Sequence, residues 1–298
     1  MKHVFIVNPK AGKNDHTIAI KEHLNKYDGK IDYFIYNTKG PKDATSYVRE
    51  CLKSTNETIR FYACGGDGTL NEVVNGAVGF PNAEVACYAI GSGNDFVKAL
   101  GNMNDYKDLD KVISGQVREI DVMKCGGNYC LNICNFGFDA WAALKMAKYK
   151  TWPLVSGKMA YNLGVIYSVF FKMKHYLKVE VDGEVLYDGK ALLCSIANGI
   201  CYGGGYYCAP KAKLDDGLLD VCLVKNVSIF TLASLIGLYK SGKHLDNPKF
   251  KKYIYYKTGK KIVVSSNKPI CYCNDGETFD VEKLELEVIE NALKFVVI

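Results

Sequence analysis

The residues best placed to do chemistry in this sequence lie in FYACGGDGTLNEVVNG, residues 61 to 76. An apolar run ends at Gly65 and Gly66, and a helix-like pattern follows, ending near Gly76. A strand, a glycine turn and a helix together make a phosphate cradle. The bare turn lets an anion approach the backbone, and the helix presents unpaired N–H groups at the positive end of its dipole. Asp67 has the wrong sign for such a cradle, because the familiar phosphate loop ends in Gly-Lys-Ser/Thr and supplies a cation. A divalent cation resolves the conflict, since magnesium takes hard oxygen ligands from carboxylates, water and phosphate together. The competing reading makes Asp67 a cap on the helix that Thr69 opens.

Two further loops have comparable chemistry. Asn8-Pro9-Lys10-Ala11-Gly12 follows the first apolar run, and Gly91-Ser92-Gly93-Asn94-Asp95 follows the fourth. The elements that must position them alternate. Strands HVFIVN, IDYFIYNT, IRFYACG and EVACYAIG are interleaved with helices around TIAIKEHLNKY, DATSYVRECLK, TLNEVVNGAV and NDFVKAL. That alternation predicts a Rossmann-like parallel sheet with crossover helices, its ligands gathered where strands end and helices begin.

After Val122 the texture changes to short β-rich runs separated by Asp-Gly and Gly-Gly turns. KVEVDGEVLYDG alternates around Asp182-Gly183 as a hairpin does, and one long helical passage, SGKMAYNLGVIYSVFFKMK, interrupts the strands. The expected organisation is an α/β nucleotide-binding domain over 1–122 and a mostly antiparallel β-sandwich over 123–290. The segment 291–298 is expected to return to the first domain. In KAKLDDGLLDV, the turn at Asp216-Gly217 could bend a carboxylate and backbone carbonyls around one hard cation, or be a plain turn between strands. The tripeptide Asp-Gly-Glu occurs twice, ending at Glu184 and at Glu277, and both copies read locally as hairpin turns.

Composition narrows the function classes. A net charge of +6 spread over 298 residues suits polyanionic ligands or an anionic membrane surface better than a dedicated nucleic-acid binder. The densest basic run, KFKKYIYYKTGKK at 249 to 261, reads as an amphipathic strand with solvated lysines rather than a stacking platform for single strands. Twelve cysteines sit singly in apolar runs with no C-x-x-C pair, which argues against zinc and disulfides and for buried thiols in a reducing cytoplasm. YNLGVIYSVFF and VSIFTLASLIGLY fall short of the ~20 residues a membrane span needs. Five scattered histidines form no catalytic triad pattern.

Taken in order, Asn8-Pro9-x-x-Gly12, Gly65-Gly66-Asp67-Gly68-Thr69-x-Asn71-Glu72 and Gly91-Ser92-Gly93-Asn94-Asp95-Phe96 make the sequence resemble the diacylglycerol kinase catalytic family, in particular the soluble bacterial lipid kinases. The match continues through Arg118–Val122, Asn135-Phe136-Gly137-Phe138-Asp139, Ala197-Asn198-Gly199, Gly203-Gly204-Gly205, Ala209–Ala212 and Asp216-Gly217-x-Leu219-Asp220-Val221. Ser92 stands where the family usually has threonine and keeps the hydroxyl. GNMNDYKD lacks the Gly-Leu-Pro usually seen after the third motif.

The resemblance implies a two-domain enzyme that uses ATP and Mg2+ to phosphorylate a lipid hydroxyl, most often diacylglycerol. It implies nucleotide contacts from Asn8, Thr38, Gly65, Gly66, Asp67, Gly68, Thr69, Leu70, Asn71 and Ser92, with Asp67 and Asp95 in the catalytic set. It also implies Glu277 as general base, and a structural magnesium held by the Asp216 side chain and the Lys213 and Leu218 carbonyls. The expected partners are a lipid substrate and an anionic membrane surface, with a peripheral, cytoplasmic location at the inner face. No nucleic acid is expected, and a homodimer is allowed for. NAD kinase, which also carries Gly-Gly-Asp-Gly-Thr, and a catalytically silent nucleotide- or lipid-binding regulator are the rivals.

Overall fold

The computed structural model describes residues 1–12, 15–149, 151–152, 155 and 157–298. The chain divides into two compact units, 1–122 with 289–298, and 123–288. The first unit contains β1 (Lys2–Val7), α1 (Thr17–Leu24), β2 (Asp32–Asn37), α2 (Asp43–Lys53), β3 (Ile59–Gly65), α3 (Asp67–Ala77), β4 (Ala83–Ala89), α4 (Leu109–Ser114) and the start of β5 (Gln116–Cys125). Its strands pair in parallel in the order β2-β1-β3-β4, and Lys294 and Phe295 add a further parallel pairing beside β4. Every residue of β3 is buried, which is why IRFYACG reads as a near-continuous apolar run rather than an alternating one. Helix α2 buries Ala44, Val48 and Leu52, spaced four apart on one stripe. It packs against α3 at Gly76, where a Cβ would come within 2.7 Å of the Val48 Cβ.

The second unit contains β6 (Asn128–Cys130), β7 (Ile133–Gly137), α5 (Phe138–Tyr149), α6 (Gly157–Phe171), β8 (His175–Val181), β9 (Glu184–Ala197), β10 (Leu219–Lys225), α7 (Ile229–Lys240), β11 (Ile254–Gly259), β12 (Lys261–Asn274) and most of β13 (Glu277–Val297). Its pairings are antiparallel, in the order β11-β10-β9-β7-β12-β13, with β8 paired to both β9 and β12. Successive residues of a strand point to opposite faces. Accordingly Leu219, Val221 and Leu223 of β10 join one core, with Cys194, Ile196 and Phe136, while Cys222 and Val224 join another with Leu193 and Leu235. Val165 and Val169 of α6 and Leu232 of α7 pack against this second core, so the two helices cover one face of the strands.

Local readings are corrected in two places. NDFVKAL is not an α-helix but a 3-10 turn over Phe96–Ala99, closed by Lys98 N–H to Asp95 O and Leu100 N–H to Val97 O. In the basic run 249 to 261, strand β11 begins only at Ile254. The start of the helical passage at Ser156 lies outside the described residues. All twelve cysteines are free thiols, and all but Cys51 are buried.

One charged pair is fixed inside the first unit. Arg60 Nε meets Glu84 Oε2 at 2.7 Å, with side chains only 10% and 15% exposed, and its guanidinium also donates to the Ile113 and Gly115 carbonyls. Glu84→Ala leaves that guanidinium without its counter-charge, a loss of about 3 kcal/mol. The urea unfolding midpoint is therefore expected to fall with no change in slope. An unchanged midpoint would show that the pair adds nothing.

Candidate functional site

Backbone contact between two loops builds the site in the first unit. The N–H groups of Ile90 and Gly91 both donate to the Gly65 carbonyl, at 3.1 and 2.9 Å. A Cβ on Gly91 would lie 2.3 Å from Gly66 Cα, and one on Gly65 would lie 2.3 Å from Thr69 Oγ1. No side chain fits at either place. The loop after β4 is braced from within: Asn94 takes a left-handed conformation (φ 49°), and its Nδ2 donates to the carbonyls of Ala89 and Gly91. Asn8 N–H donates to Cys64 O at 3.1 Å, and Asn8 Nδ2 to Thr69 Oγ1 at 3.2 Å; Thr38 N–H donates to Val7 O at 2.9 Å. The carboxyl ends of β1, β2 and β3 are thus tied together, the place where ligands of parallel sheets bind.

A cavity of about 370 Å³ opens there. Of the residues expected to bind nucleotide, Asn8, Thr38, Gly68 and Thr69 line it. Lys10, Lys39 and Glu72 also line it, although the sequence reading gave none of the three a role. Lys10 and Glu72 lie inside the first two loop motifs, and Lys39 follows Thr38. Glu72 is already engaged, its Oε2 accepting the Ala44 N–H at 3.2 Å. The first turn of α3, with two lysines nearby, makes a site for a polyanion. Gly65 ends β3, Gly66 and Asp67 begin α3, and Ser92 follows β4; none of the four lines the cavity. Leu70 and Asn71 are buried: Leu70 N–H closes the helix to Gly66 O, and Asn71 Oδ1 accepts from Asn75 Nδ2 at 2.9 Å.

Asp67 does not cap α3. Gly66 holds the N-cap position, Asp67 opens the helix, and its Oδ1 accepts the Phe96 N–H at 3.2 Å. The carboxylate therefore couples α3 to the loop after β4. A Cβ on Gly93 would lie 3.0 Å from Asp67 Oδ2 and 3.7 Å from Asp95 Oδ2, so two carboxylates flank this glycine. Asp95 is buried, with Lys98 Nζ 2.5 Å from its Oδ1. Oxygen donors of this kind fit magnesium. Among the described residues no three His, Cys, Asp or Glu side chains are grouped to hold a metal. A cation beside Asp67 and Asp95 would then complete its shell with phosphate and water, as magnesium commonly does.

In the second unit, Asp216 Oδ1 accepts the Leu218 N–H at 3.1 Å across a turn in which Gly217 has φ 68°. Lys213, Asp216 and Leu218 precede β10 on one short segment. Nearby Asp220 is pushed up to about 6, chiefly by burial, with the Asp216 charge adding to it and a hydrogen bond from Tyr256 opposing it.

Both Asp-Gly-Glu segments form two-residue hairpins, with φ of 51° and 85° at Asp182-Gly183 and 45° and 98° at Asp275-Gly276. Tertiary contacts tell them apart. Asp275 accepts N–H groups from Leu131, Asn132 and Ile133, at 2.6, 3.2 and 3.0 Å, whereas Asp182 accepts from Lys260 and Lys261. Glu184 pairs with Lys257 at 2.6 Å on the surface, while Glu277 is exposed at the first position of β13.

A second cavity, of about 250 Å³, lies within the second unit between α6, α7 and β9. Val165, Val169, Leu192, Leu232 and Ile236 make it apolar, and among the described residues Asp139 is its one acidic wall residue. Burial pushes the Asp139 carboxyl up to about 6, against the hydrogen bond it accepts from the Tyr202 hydroxyl. Asp139 carries no role predictable from sequence, because the cavity is assembled from segments far apart in the chain.

With this geometry in place, residues 2–125 match the model of the diacylglycerol kinase catalytic domain, and residues 132–297 match that of the YegS C-terminal NAD kinase beta sandwich-like domain. A diacylglycerol kinase of Staphylococcus saprophyticus is 30% identical over 279 residues, covering 91% of this chain and 87% of that one. The crystal structure of a diacylglycerol kinase from Bacillus anthracis str. Sterne superposes with a TM-score of 0.70 at 25% identity, over 100% of this chain and 97% of that chain. An NAD kinase from Archaeoglobus fulgidus in complex with ATP gives 0.52 at 14% identity, over 99% and 93%, a likeness of fold. A diacylglycerol kinase catalytic domain followed by a domain rich in antiparallel strands defines the class. The chain belongs to the diacylglycerol kinase family, in agreement with the resemblance carried by its three loops.

Gly91→Ala tests the loop contact. Forcing a methyl between two backbones is expected to cost about 2–3 kcal/mol and to lower nucleotide affinity. Gly127→Ala, with open space around its Cβ, is expected to stay within about 0.5 kcal/mol of wild type. Thermal melting and nucleotide titration read the pair, and equal behaviour of the two variants would remove the contact from the site.

Proposed function

We propose that this protein is an ATP- and magnesium-dependent lipid kinase that converts diacylglycerol to phosphatidic acid. The observation that carries the acceptor class is the apolar cavity of the second unit, whose aliphatic walls suit an acyl chain and offer little to a dinucleotide. On this reading the first unit is a Rossmann-like nucleotide domain and the second a β-sandwich that receives the lipid. The protein works as a peripheral enzyme on the cytoplasmic face of a membrane.

In this proposal the N–H groups at the start of α3, with Lys10 and Lys39, hold the phosphates of ATP. Asp67 and Asp95 hold magnesium, which when bound neutralises charge on the transferring phosphoryl group. Glu277 accepts the proton of the lipid hydroxyl as its oxygen bonds to the γ-phosphorus and the bond to ADP breaks. Asp216, with the carbonyls of Lys213 and Leu218, holds a second, structural magnesium.

With labelled ATP and magnesium, label is expected in diacylglycerol from a lipid panel and none in NAD; label in NAD alone overturns the reading. Ala233→Trp, which fills the cavity, is expected to reduce kcat/KM for long-chain diacylglycerol by roughly tenfold or more and to spare a short-chain acceptor. Equal losses on both would separate the cavity from the acyl chain.

Asp67→Asn and Glu277→Gln are expected to lower kcat by roughly 10²–10⁴ while the protein stays folded. Glu184→Gln, in the twin hairpin, is expected to change little. A crippled Glu184→Gln beside a healthy Glu277→Gln would reverse the assignment of the base.

A further inference from the structure

We infer that Asp275 is a positioning residue for phosphoryl transfer: its carboxylate binds three successive backbone N–H groups and thereby fixes the hairpin that presents Glu277. The inference rests on the reading of Glu277 as general base and deepens it. Asn274 ends β12, Glu277 opens β13, and the two pair across the turn. Between them, Asp275 Oδ2 accepts the Leu131 N–H at 2.6 Å and Oδ1 accepts the Ile133 N–H at 3.0 Å. Both oxygens share the Asn132 N–H, at 3.2 and 3.3 Å, and the Asp275 N–H returns a bond to the Ile133 carbonyl at 3.3 Å. Leu131 and Asn132 fall between β6 and β7, outside both strands, so the carboxylate supplies the acceptor that their N–H groups need.

The strip that Asp275 grips is itself anchored. The N–H groups of Asn198 and Gly199 donate to the Asn132 carbonyl at 2.9 and 3.0 Å. Asn198 Nδ2 donates to Leu131 O and Asn132 Nδ2 to Cys201 O, each at 3.0 Å. A Cβ on Gly199 would lie 2.0 Å from Asn132 Oδ1, and Leu131, Asn132 and Asn198 are all buried. The Ala197-Asn198-Gly199 motif thus gains a role: it seats the strip that seats Asp275. Burial pushes the Asp275 carboxyl up, while the N–H groups of Ile133, Leu131 and Asn132 draw it back toward the ionised form, which accepts from all three. In the twin hairpin, Asp182 accepts instead from Lys260 and Lys261, at the exposed turn between β11 and β12. An exposed side chain beside a two-residue turn inherits the motion of that turn. Holding the turn therefore holds Glu277 within reach of the proton it takes.

A double-mutant cycle on the full chain tests this, read as transfer from labelled ATP to dispersed diacylglycerol with magnesium. Asp275→Asn sets an amino group against N–H donors and is expected to lower kcat about 10- to 100-fold, with KM for both substrates unchanged. In the Glu277→Gln background the same substitution is expected to cost less than about twofold, because a residue acting through Glu277 has nothing left to position. A merely structural role would reduce the active fraction equally in both backgrounds, so equal losses overturn the inference. Asp182→Asn is expected to keep the wild-type kcat; a loss matching that of Asp275→Asn overturns the inference by making the effect common to hairpin aspartates. Should Asp275→Asn not fold, Asn198→Ala carries the cycle, with an expected loss of about threefold or more that vanishes in Glu277→Gln. Amide exchange at Leu131, Asn132 and Ile133 is followed alongside and is expected to quicken at least about tenfold in Asp275→Asn. Unchanged exchange overturns the inference, as does an Asp275→Asn enzyme with wild-type kcat. Quickened exchange beside a healthy Glu277→Gln supports the brace and overturns the base reading alone.

Discussion

The first unit depends on one close approach, Gly91 against Gly66. At this separation there is no room for a side chain, and the two N–H groups that converge on the Gly65 carbonyl hold the loops in place. Around that contact the rest follows in order. Gly66 takes the N-cap position, Asp67 becomes the first residue of α3, and its carboxylate reaches the Phe96 N–H of the neighbouring loop. The open end of α3 is left facing a cavity, and two carboxylates remain beside Gly93. Asp67 thus has a mechanical duty whatever ligand the cavity takes: it joins α3 to the loop after β4.

The two units solve different problems with different sheets. Parallel strands bring all their carboxyl ends to one edge, which suits a charged ligand that must be gripped by several loops. Antiparallel strands with both faces buried give a stiff platform, and the helices laid on one face enclose an apolar space. Asp139 within that space is a titrating group at a place otherwise built of hydrocarbon, with Tyr202 as its donor. Burial raises the pH at which this carboxyl takes up its proton, because its neutral form is less costly to bury than a full charge.

Much of this was legible in the sequence because it is local. The apolar runs of β1 to β4, the glycines at their ends and the Asp-Gly turn at 182–183 are all short-range signals, and the three loop motifs identified the family. What was not legible depends on contacts across the fold. NDFVKAL has helical composition, yet Asp67 captures the Phe96 N–H and Asn94 turns the chain left-handed, so only a 3-10 turn forms. Asp67 could not be told from a helix cap without its partner 29 residues away. The twin hairpins at Glu184 and Glu277 are alike in dihedral angle and are told apart by what their aspartates hold and by the Lys257 partner of Glu184. The apolar cavity has no sequence signature, because α6, β9 and α7 contribute to it separately.

The buried thiols give the molecule a built-in record of its own opening. Burial pushes Cys64 and Cys87 up in the first unit, and Cys130, Cys134, Cys194, Cys208 and Cys222 in the second, so each is an unreactive thiol while its surroundings stay closed. An alkylating reagent can reach them only when strands separate, and the rate at which each is labelled then measures the free energy of that separation. Because both units carry such groups, mass-resolved labelling distinguishes an opening of the parallel sheet from one of the antiparallel sheet in a single experiment.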